Sequence, residues 1–270
     1  MTKTANPFLD RITIYPVKSL DGMDLEQAVV SEGGCLLHDR EFALSDLEGN
    51  LVIGKTNALV HTLRSRVDFE AGTISLRDER ETAWNRFQLF EEKERLHAYL
   101  SDHFGMDVLV VRNSTGRLLD IPDLSGATIL STASLEAVTG WFPDLELPQV
   151  RRRFRATLEI AEVPAFWEDR LFAGEDQTVE FSVGDVTLLG VSPRARCVVP
   201  TRQPETGETT KAFPRTFATH REASLPEGSG LTEYPHAYYL TVNCLIPPTE
   251  IGKTLRLGDP VEILGTRPIP

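Results

Sequence analysis

The sequence predicts a β-rich α+β protein with an N-terminal β-barrel-like unit over residues 1–122 and a second β-rich unit over residues 123–270. Three observations point there. Short apolar or alternating runs recur between Gly, Asp and Asn turns, as in a barrel or curled sheet. Helical spacing stands out in only two windows. A polar run over Asn113–Pro122 interrupts the pattern, either as a boundary between two domains or as a long loop inside one. At 270 residues the chain is long enough for two ordinary domains or one large barrel.

Taken in order, Ile12–Val17 is an apolar strand closed by Pro16 and followed by the turn Asp21-Gly22. Leu25–Val30 continues it to Gly33-Gly34. Arg40–Leu44 alternates, turns at Glu48-Gly49-Asn50 and returns through Leu51–Ile53. Val67–Phe69 and Thr73–Leu76 flank the turn Ala71-Gly72. In Glu91–Phe104 the residues Leu96, Tyr99, Leu100 and Phe104 recur at spacings of three and four, predicting a helix that stops near Gly105, with a strand over Met106–Val111. Ala127–Leu130 reads as a strand, and Ser131 or Thr132 as the cap of a helix from Ala133 to Gly140. Arg151–Ile160 is strand-like. The segments FSVGDVTLLG and LRLGDPVEILG read as two barrel strands with similar turns or as an internal repeat. Gln203–Tyr234 is long and polar, as functional lids and disordered loops are.

Composition narrows the class. Apolar residues form 41% and charged residues 25%, which fits a folding chain. With 28 basic and 40 acidic residues the net charge is -12, so the surface as a whole repels nucleic acid and anionic membrane while tolerating a redox or basic protein partner. No run reaches 18 apolar residues and MTKTANPFLD lacks an apolar signal core, so no membrane span and a cytoplasmic location are expected. Cys35, Cys197 and Cys244 form no CxxC, which argues against an all-sulfur zinc or iron–sulfur site and against a disulfide scaffold. No HExxH or GxGxxG pattern occurs.

Two clusters carry candidate chemistry. Arg194-Ala195-Arg196-Cys197 surrounds a cysteine with cations, and a thiolate is both a nucleophile and a soft metal ligand. The alternative is a packing cysteine that opens a strand at Val198-Val199. Arg151, Arg152, Arg153 and Arg155 are the densest basic run, and strand alternation would send Arg153 and Arg155 to one face, where two guanidiniums meet an anion, or simply leave a solvated edge. Lys18 and Arg40 form a second basic pair, with Asp39 placed to fix the direction of Arg40. Cys35 and Cys244 read as core residues, the six histidines as surface or structural, and Trp84, Trp141 and Trp167 as packing anchors.

Several of these segments, in this order, resemble the MOSC family, specifically proteins joining a MOSC N-terminal β-barrel domain to a MOSC domain, such as the mitochondrial amidoxime reducing component and YcbX-type proteins. The segments are Tyr15-Pro-Val-Lys18-Ser19, His38-Asp39-Arg40 with Phe42, Ser131-Thr132-Ala133-Ser134-Leu135, Arg153-Phe154-Arg155, Phe166-Trp167-Glu168-Asp169, and Arg196-Cys197 with Pro204-Glu-Thr-Gly207. The resemblance implies a second β-barrel over residues 123–270, the MOSC domain. It implies bound molybdenum cofactor (Mo-molybdopterin), with the Cys197 thiolate as metal ligand and catalytic centre. Lys18, Ser19, Arg40, Thr132, Ser134, Arg153, Arg155 and Arg196 would hold the cofactor.

The implied activity is an oxidoreductase that reduces N-hydroxylated or N-oxide small molecules. Electrons would come from a separate donor, a ferredoxin-like protein or a b-type cytochrome with a flavin reductase, because no ferredoxin-like domain follows within this chain. The alternative is a cofactor carrier or sulfur-transfer protein without reductase activity. Two segments depart from the pattern. Gln203 stands where relatives have Asp before the Pro204 turn, and Pro235-His-Ala-Tyr-Tyr239 replaces a phenylalanine-glycine loop.

Overall fold

A computed structural model describes residues 6–269 apart from 117, 119–120, 122–125, 175 and 226–228. The expected division after residue 122 falls on positions outside that description. The first part of the chain forms strands β1 (Phe8–Ile14), β2 (Met23–Leu25), β3 (Gln27–Val29), β4 (Phe42–Ser45), β5 (Leu63–Asp68), β6 (Thr73–Asp78) and β7 (Asn85–Gln88), then helix α1 (Lys93–Phe104) and strand β8 (Leu109–Arg112). There follow β9 (Ala127–Ser131), α2 (Thr132–Gly140), α3 (Leu147–Phe154), β10 (Leu158–Ala161), β11 (Gln177–Val183), β12 (Val186–Ala195), α4 (Phe213–Ala223), β13 (Tyr239–Leu245), β14 (Thr254–Arg256) and β15 (Val261–Pro268). Among the described residues no helix is long and apolar enough to cross a membrane.

The β-rich α+β class is as expected, but the barrels are not there. Among the described residues the strands divide into an open eight-stranded sheet, ordered β15-β11-β12-β13-β9-β10-β1-β2, a three-stranded sheet β5-β6-β7, and the pairs β14-β3 and β4-β8. Closure needs a ladder that continues around the whole circumference with a fixed stagger. Here β2 is three residues long and pairs only with β1, so the large sheet ends there, opposite an edge at β15. The closely spaced turns cut the remaining strands into separate small sheets. Within the large sheet β9 and β10 run parallel, and every other pairing is antiparallel.

Local sequence explains most of the helices. In α1, Leu96, Leu100 and Phe104 repeat every fourth residue and are buried, and Gly105 closes the helix in the left-handed conformation, its N–H donating to Ser101 O. For α2 the cap is Ser131, whose Oγ accepts from Ser134 N–H at 3.1 Å. The strand expected over Arg151–Ile160 is corrected: residues up to Phe154 belong to α3, and only Leu158–Ala161 are extended. Pro148 in the first turn, the Gln149 Oε1 acceptor for Glu146 N–H at 3.1 Å, and Val150 and Phe154 buried four apart all favour helix there.

The lid or disordered loop expected over Gln203–Tyr234 is also corrected, since α4 occupies its middle; residues 226–228 lie outside the description. Pro214 starts that helix, and Phe213 and Phe217, one turn apart, are fully buried. The two Gly-Asp segments are neighbours: β11 pairs with both β12 and β15, and Gly184 N–H donates to Pro260 O at 2.9 Å.

Three apolar clusters hold the elements together. One joins Leu9, Ile12 and Ile14 of β1 to Leu158, Phe181, Leu188 and Val242 of the large sheet. A second, with Leu44, Leu63, Leu76, Leu96 and Phe104, lies beneath α1. The third packs α2, α3 and α4 together through Leu135, Phe154, Phe213 and Phe217.

Candidate functional site

Between the loops that carry residues 18–61 and the segments 152–157 and 192–199 lies a cavity of about 440 Å³, within the range of small-molecule sites. Lys18, Ser19, Arg40, Arg153, Arg155, Arg196 and Cys197, all expected site residues, line it. Thr132 and Ser134 do not. Eight of the lining residues are lysine or arginine, against one carboxylate, that of Asp39. In a chain of net charge -12 this is a concentrated reversal of sign, and it favours an anionic occupant.

The backbone is arranged to aim these groups. Ser19, Arg40 and Arg155 have φ of 72°, 51° and 55°, a left-handed conformation that non-glycine residues adopt at some energetic expense and that concentrates at ligand sites. Arg155 is the C-terminal cap of α3, so Arg153 and Arg155 reach the cavity from a helix end and its cap, in place of the alternate strand positions expected.

Arg40 is held from behind. Its Nη1 donates to Asp39 Oδ1 at 2.6 Å and Oδ2 at 2.5 Å, while Asp39 Oδ1 also accepts from Tyr15 N–H at 2.8 Å. Its Cζ lies 4.4 Å from the centre of the Tyr15 ring, and the Cζ of Arg155 lies 4.0 Å from the same centre. Arg155 is half-buried, yet its Nη2 is shut off from solvent with no hydrogen-bond partner among the described residues. Burial pulls its pKa down to about 10, with Tyr15 opposing and Arg40 adding to the shift, so it remains charged at neutral pH.

Arg153 and Arg152 mainly serve the loop after Cys197. Arg153 is 1% exposed and donates to Pro200 O at 2.6 Å, Gln203 Oε1 at 2.8 Å and Thr210 Oγ1 at 3.1 Å. Gln203, where the resemblance leads one to expect aspartate, is therefore a direct acceptor for Arg153. Arg152 pairs with Glu205 Oε1 at 2.6 Å and donates to Pro204 O at 3.0 Å, an oxygen that also accepts from Arg64 at 3.0 Å. Gly207, at φ 72°, comes so close to Ala58 that a Cβ there would lie 2.6 Å from the Ala58 oxygen. Glycine is required at that approach.

Cys197 is half-buried and lies after β12, ahead of a 3-10 turn over Val199–Thr201, so it does not open a Val-Val strand. Its carbonyl accepts from Tyr238 Oη at 3.5 Å, and the Arg196 guanidinium beside it donates to Phe154 O at 2.7 Å. Burial pulls Arg196 down to about 10. Arg194 donates to Asn243 Oδ1 at 2.8 Å. Cys35 and Cys244 are buried, as expected. Lys55, His61 and Asn243 also line the cavity. Lys55 stands in Gly49-Asn-Leu-Val-Ile-Gly54-Lys55-Thr56, which has the GxxxxGK[ST] spacing. Gly49, however, belongs to the tight turn after β4, and a 3-10 turn over Ala58–Thr62 follows in place of an α-helix, so the strand–loop–helix setting of a phosphate loop is not formed. Burial lowers the pKa of His61, whose Nε2 lies 3.2 Å from Gly54 O.

Ala127 and Thr128, at the start of β9, line the cavity, whereas Ser131 ends the strand and Thr132 and Ser134 start α2. Four residues of strand span roughly 13 Å. At that far end Ser134 Oγ donates to Glu168 Oε2 at 2.9 Å and accepts from Phe166 N–H at 2.6 Å, while Thr132 Oγ1 lies 3.5 Å from Asp10 Oδ2. Glu168 is 1% exposed, and burial raises its pKa to about 7. Among the described residues, no group of three or more His, Cys, Asp or Glu side chains is placed to hold a metal.

Residues 7–107 match the family model of the MOSC N-terminal beta barrel domain. That stretch contributes Lys18, Ser19, Asp39, Arg40, Lys55 and His61 to the cavity wall. No curated protein matches the chain.

Proposed function

We propose that the cavity binds molybdenum cofactor with Cys197 as its metal ligand, and that the protein reduces N-hydroxylated or N-oxide compounds with electrons from a separate donor protein. The observation that carries this reading is the convergence of one half-buried thiol and eight cationic side chains on one cavity of an otherwise acidic chain. The MOSC N-terminal match over residues 7–107 supports a molybdenum-cofactor-related role in general. The donor set fits such a group: a soft sulfur ligand suits the metal, and arginine forks suit a phosphate. A single cysteine is compatible with the lack of a multi-ligand protein cluster if the remaining metal ligands belong to the cofactor.

When bound, the cofactor supplies the two-electron redox chemistry. The chain's own part is to bind and orient. Lys18, Ser19, Arg40 and Arg155 take the anionic end, and Arg196 keeps positive charge beside the Cys197 thiolate. Arg153 and Arg152 fix the 200–210 loop that follows the ligand. Thr132 and Ser134 have no part in it.

The test is molybdenum content by inductively coupled plasma mass spectrometry, on protein from a host that makes the cofactor. About one metal per chain is expected in the parent and a clear loss in Cys197→Ala. No molybdenum in the parent, with cofactor supply verified, overturns the reading. Reoxidation of the reduced, loaded protein by an N-hydroxylated compound then separates a reductase from a carrier, in which the bound metal stays inert.

A further inference from the structure

Tyr15 presents one ring to two guanidiniums. It is 5% exposed, and Arg40 and Arg155 approach its centroid to 4.4 and 4.0 Å. These arginines come from distant parts of the chain, and each is a like charge that raises the electrostatic cost of holding the other. Arg40 Nη2 does reach the Arg155 carbonyl, at 3.4 Å. Asp39 neutralises Arg40, but among the described residues the Arg155 guanidinium has no ion pair and no hydrogen bond, and its buried Nη2 lacks a partner. The π face is therefore the main favourable contact of the Arg155 charge until an anion arrives. The residue is tied at both ends: its main-chain N–H donates to Asp39 Oδ1 at 2.8 Å, and its ring hydroxyl donates to Ala156 O in a long 3.3 Å bond.

We propose that Tyr15 is a positioning residue whose ring holds Arg40 and Arg155 together as a two-arginine clamp for a phosphate-like anion. This rests on the reading of the cavity as a ligand site, and it assigns the aromatic face, not the hydroxyl, as the part that acts. Two neighbouring guanidinium groups bind a tetrahedral oxyanion well only if both are ordered before it binds, because ordering them afterwards subtracts from affinity.

The probe is inorganic phosphate, titrated calorimetrically at low ionic strength into the full chain from a host that does not make the cofactor. Tyr15→Phe is expected to keep the parent affinity within about twofold, while Tyr15→Leu weakens it by about tenfold through loss of both cation–π contacts. Equal affinity in the leucine and parent proteins overturns the proposal, as does a parent that binds no phosphate. Should the leucine variant not fold, nuclear magnetic resonance of the parent decides. Slow guanidinium rotation and ring-current-shifted Nε–H signals for Arg40 and Arg155 support the clamp, and freely rotating guanidiniums overturn it. Phosphate binding of this pattern in a chain that takes up no molybdenum would remove the cofactor reading and leave the clamp. A parent that takes up molybdenum in a cofactor-making host, with cofactor-free Tyr15→Leu binding phosphate like the cofactor-free parent, would remove only the clamp.

Discussion

A single carboxyl far from the cavity sets a pH dependence of its own. Glu168 is enclosed with one oxygen lacking a hydrogen-bond partner among the described residues, and burial raises its folded pKa to about 7, above the ordinary value of 4.5. The folded state thus binds more protons than the unfolded state between those two values, so this group's contribution is full below about pH 4.5 and is lost as pH rises through 7. The shift corresponds to roughly 3 kcal/mol if the whole difference is realised. Glu168→Gln, which keeps the shape and removes the titration, is expected to flatten the fall in urea midpoint between pH 5 and pH 7.5. An unchanged slope in the variant would assign the pH dependence elsewhere. Nothing in Phe166-Trp167-Glu168-Asp169 announces burial, because an isolated acid beside a tryptophan looks the same on a surface. Lys18, Arg40 and Cys197 were legible because charge or sulfur stood out locally, whereas Lys55, His61 and Asn243 reach the cavity only through long-range folding.

At the scale of elements, the sequence was most readable where periodicity, cap and turn agreed. Helix α1 had all three, with Leu96, Leu100 and Phe104 in a row and Gly105 after them. Helix α3 had them too, in Pro148, Gln149, Val150 and Phe154, but the three arginines drew the eye toward an anion-binding strand. Arg153 and Arg155 do line the cavity, but from a helix end and its cap and not from a strand. Helix α2 illustrates the opposite, since the resemblance led to the expectation that Thr132 and Ser134 of its first turn hold a cofactor, yet that turn sits at the far end of β9 from the cavity. Ser134→Ala removes a donor to Glu168 and an acceptor for Phe166 N–H. It is expected to lower stability by about 1–3 kcal/mol in urea unfolding while leaving molybdenum content at the parent level. A loss of metal with unchanged stability would return Ser134 to the binding site.

For the whole molecule, the decisive fact is where β1 goes. It lies between β10 and β2 in a sheet whose other six strands come from residues 127–268, and its Leu9, Ile12 and Ile14 are almost fully buried there. No local pattern in residues 8–14 could reveal a partner some 150 positions away, which is why the reading of the sequence grouped β1 with the strands that follow it. Burying three such side chains is worth roughly 5–9 kcal/mol, comparable with the entire stability of an ordinary domain. The 64–152–204 contacts add a second tie, since Arg64 and Arg152 share the Pro204 carbonyl from opposite sides of the expected division. The chain is therefore expected to unfold in a single calorimetric transition, and residues 123–270 produced alone should lack a cooperative one, with Leu158 and Ile160 left on an open edge. Two separated transitions in the full chain, or a cooperatively folded 123–270 fragment, would show that β1 decorates the large sheet without supporting it. The cavity would feel the difference, because Tyr15 and Lys18 follow directly from β1 and Arg40 lies between β3 and β4, while Arg155 and Cys197 belong to the other side. An anion gripped across that junction stabilises the folded chain by mass action, so phosphate should raise the midpoint of the one transition as a unit.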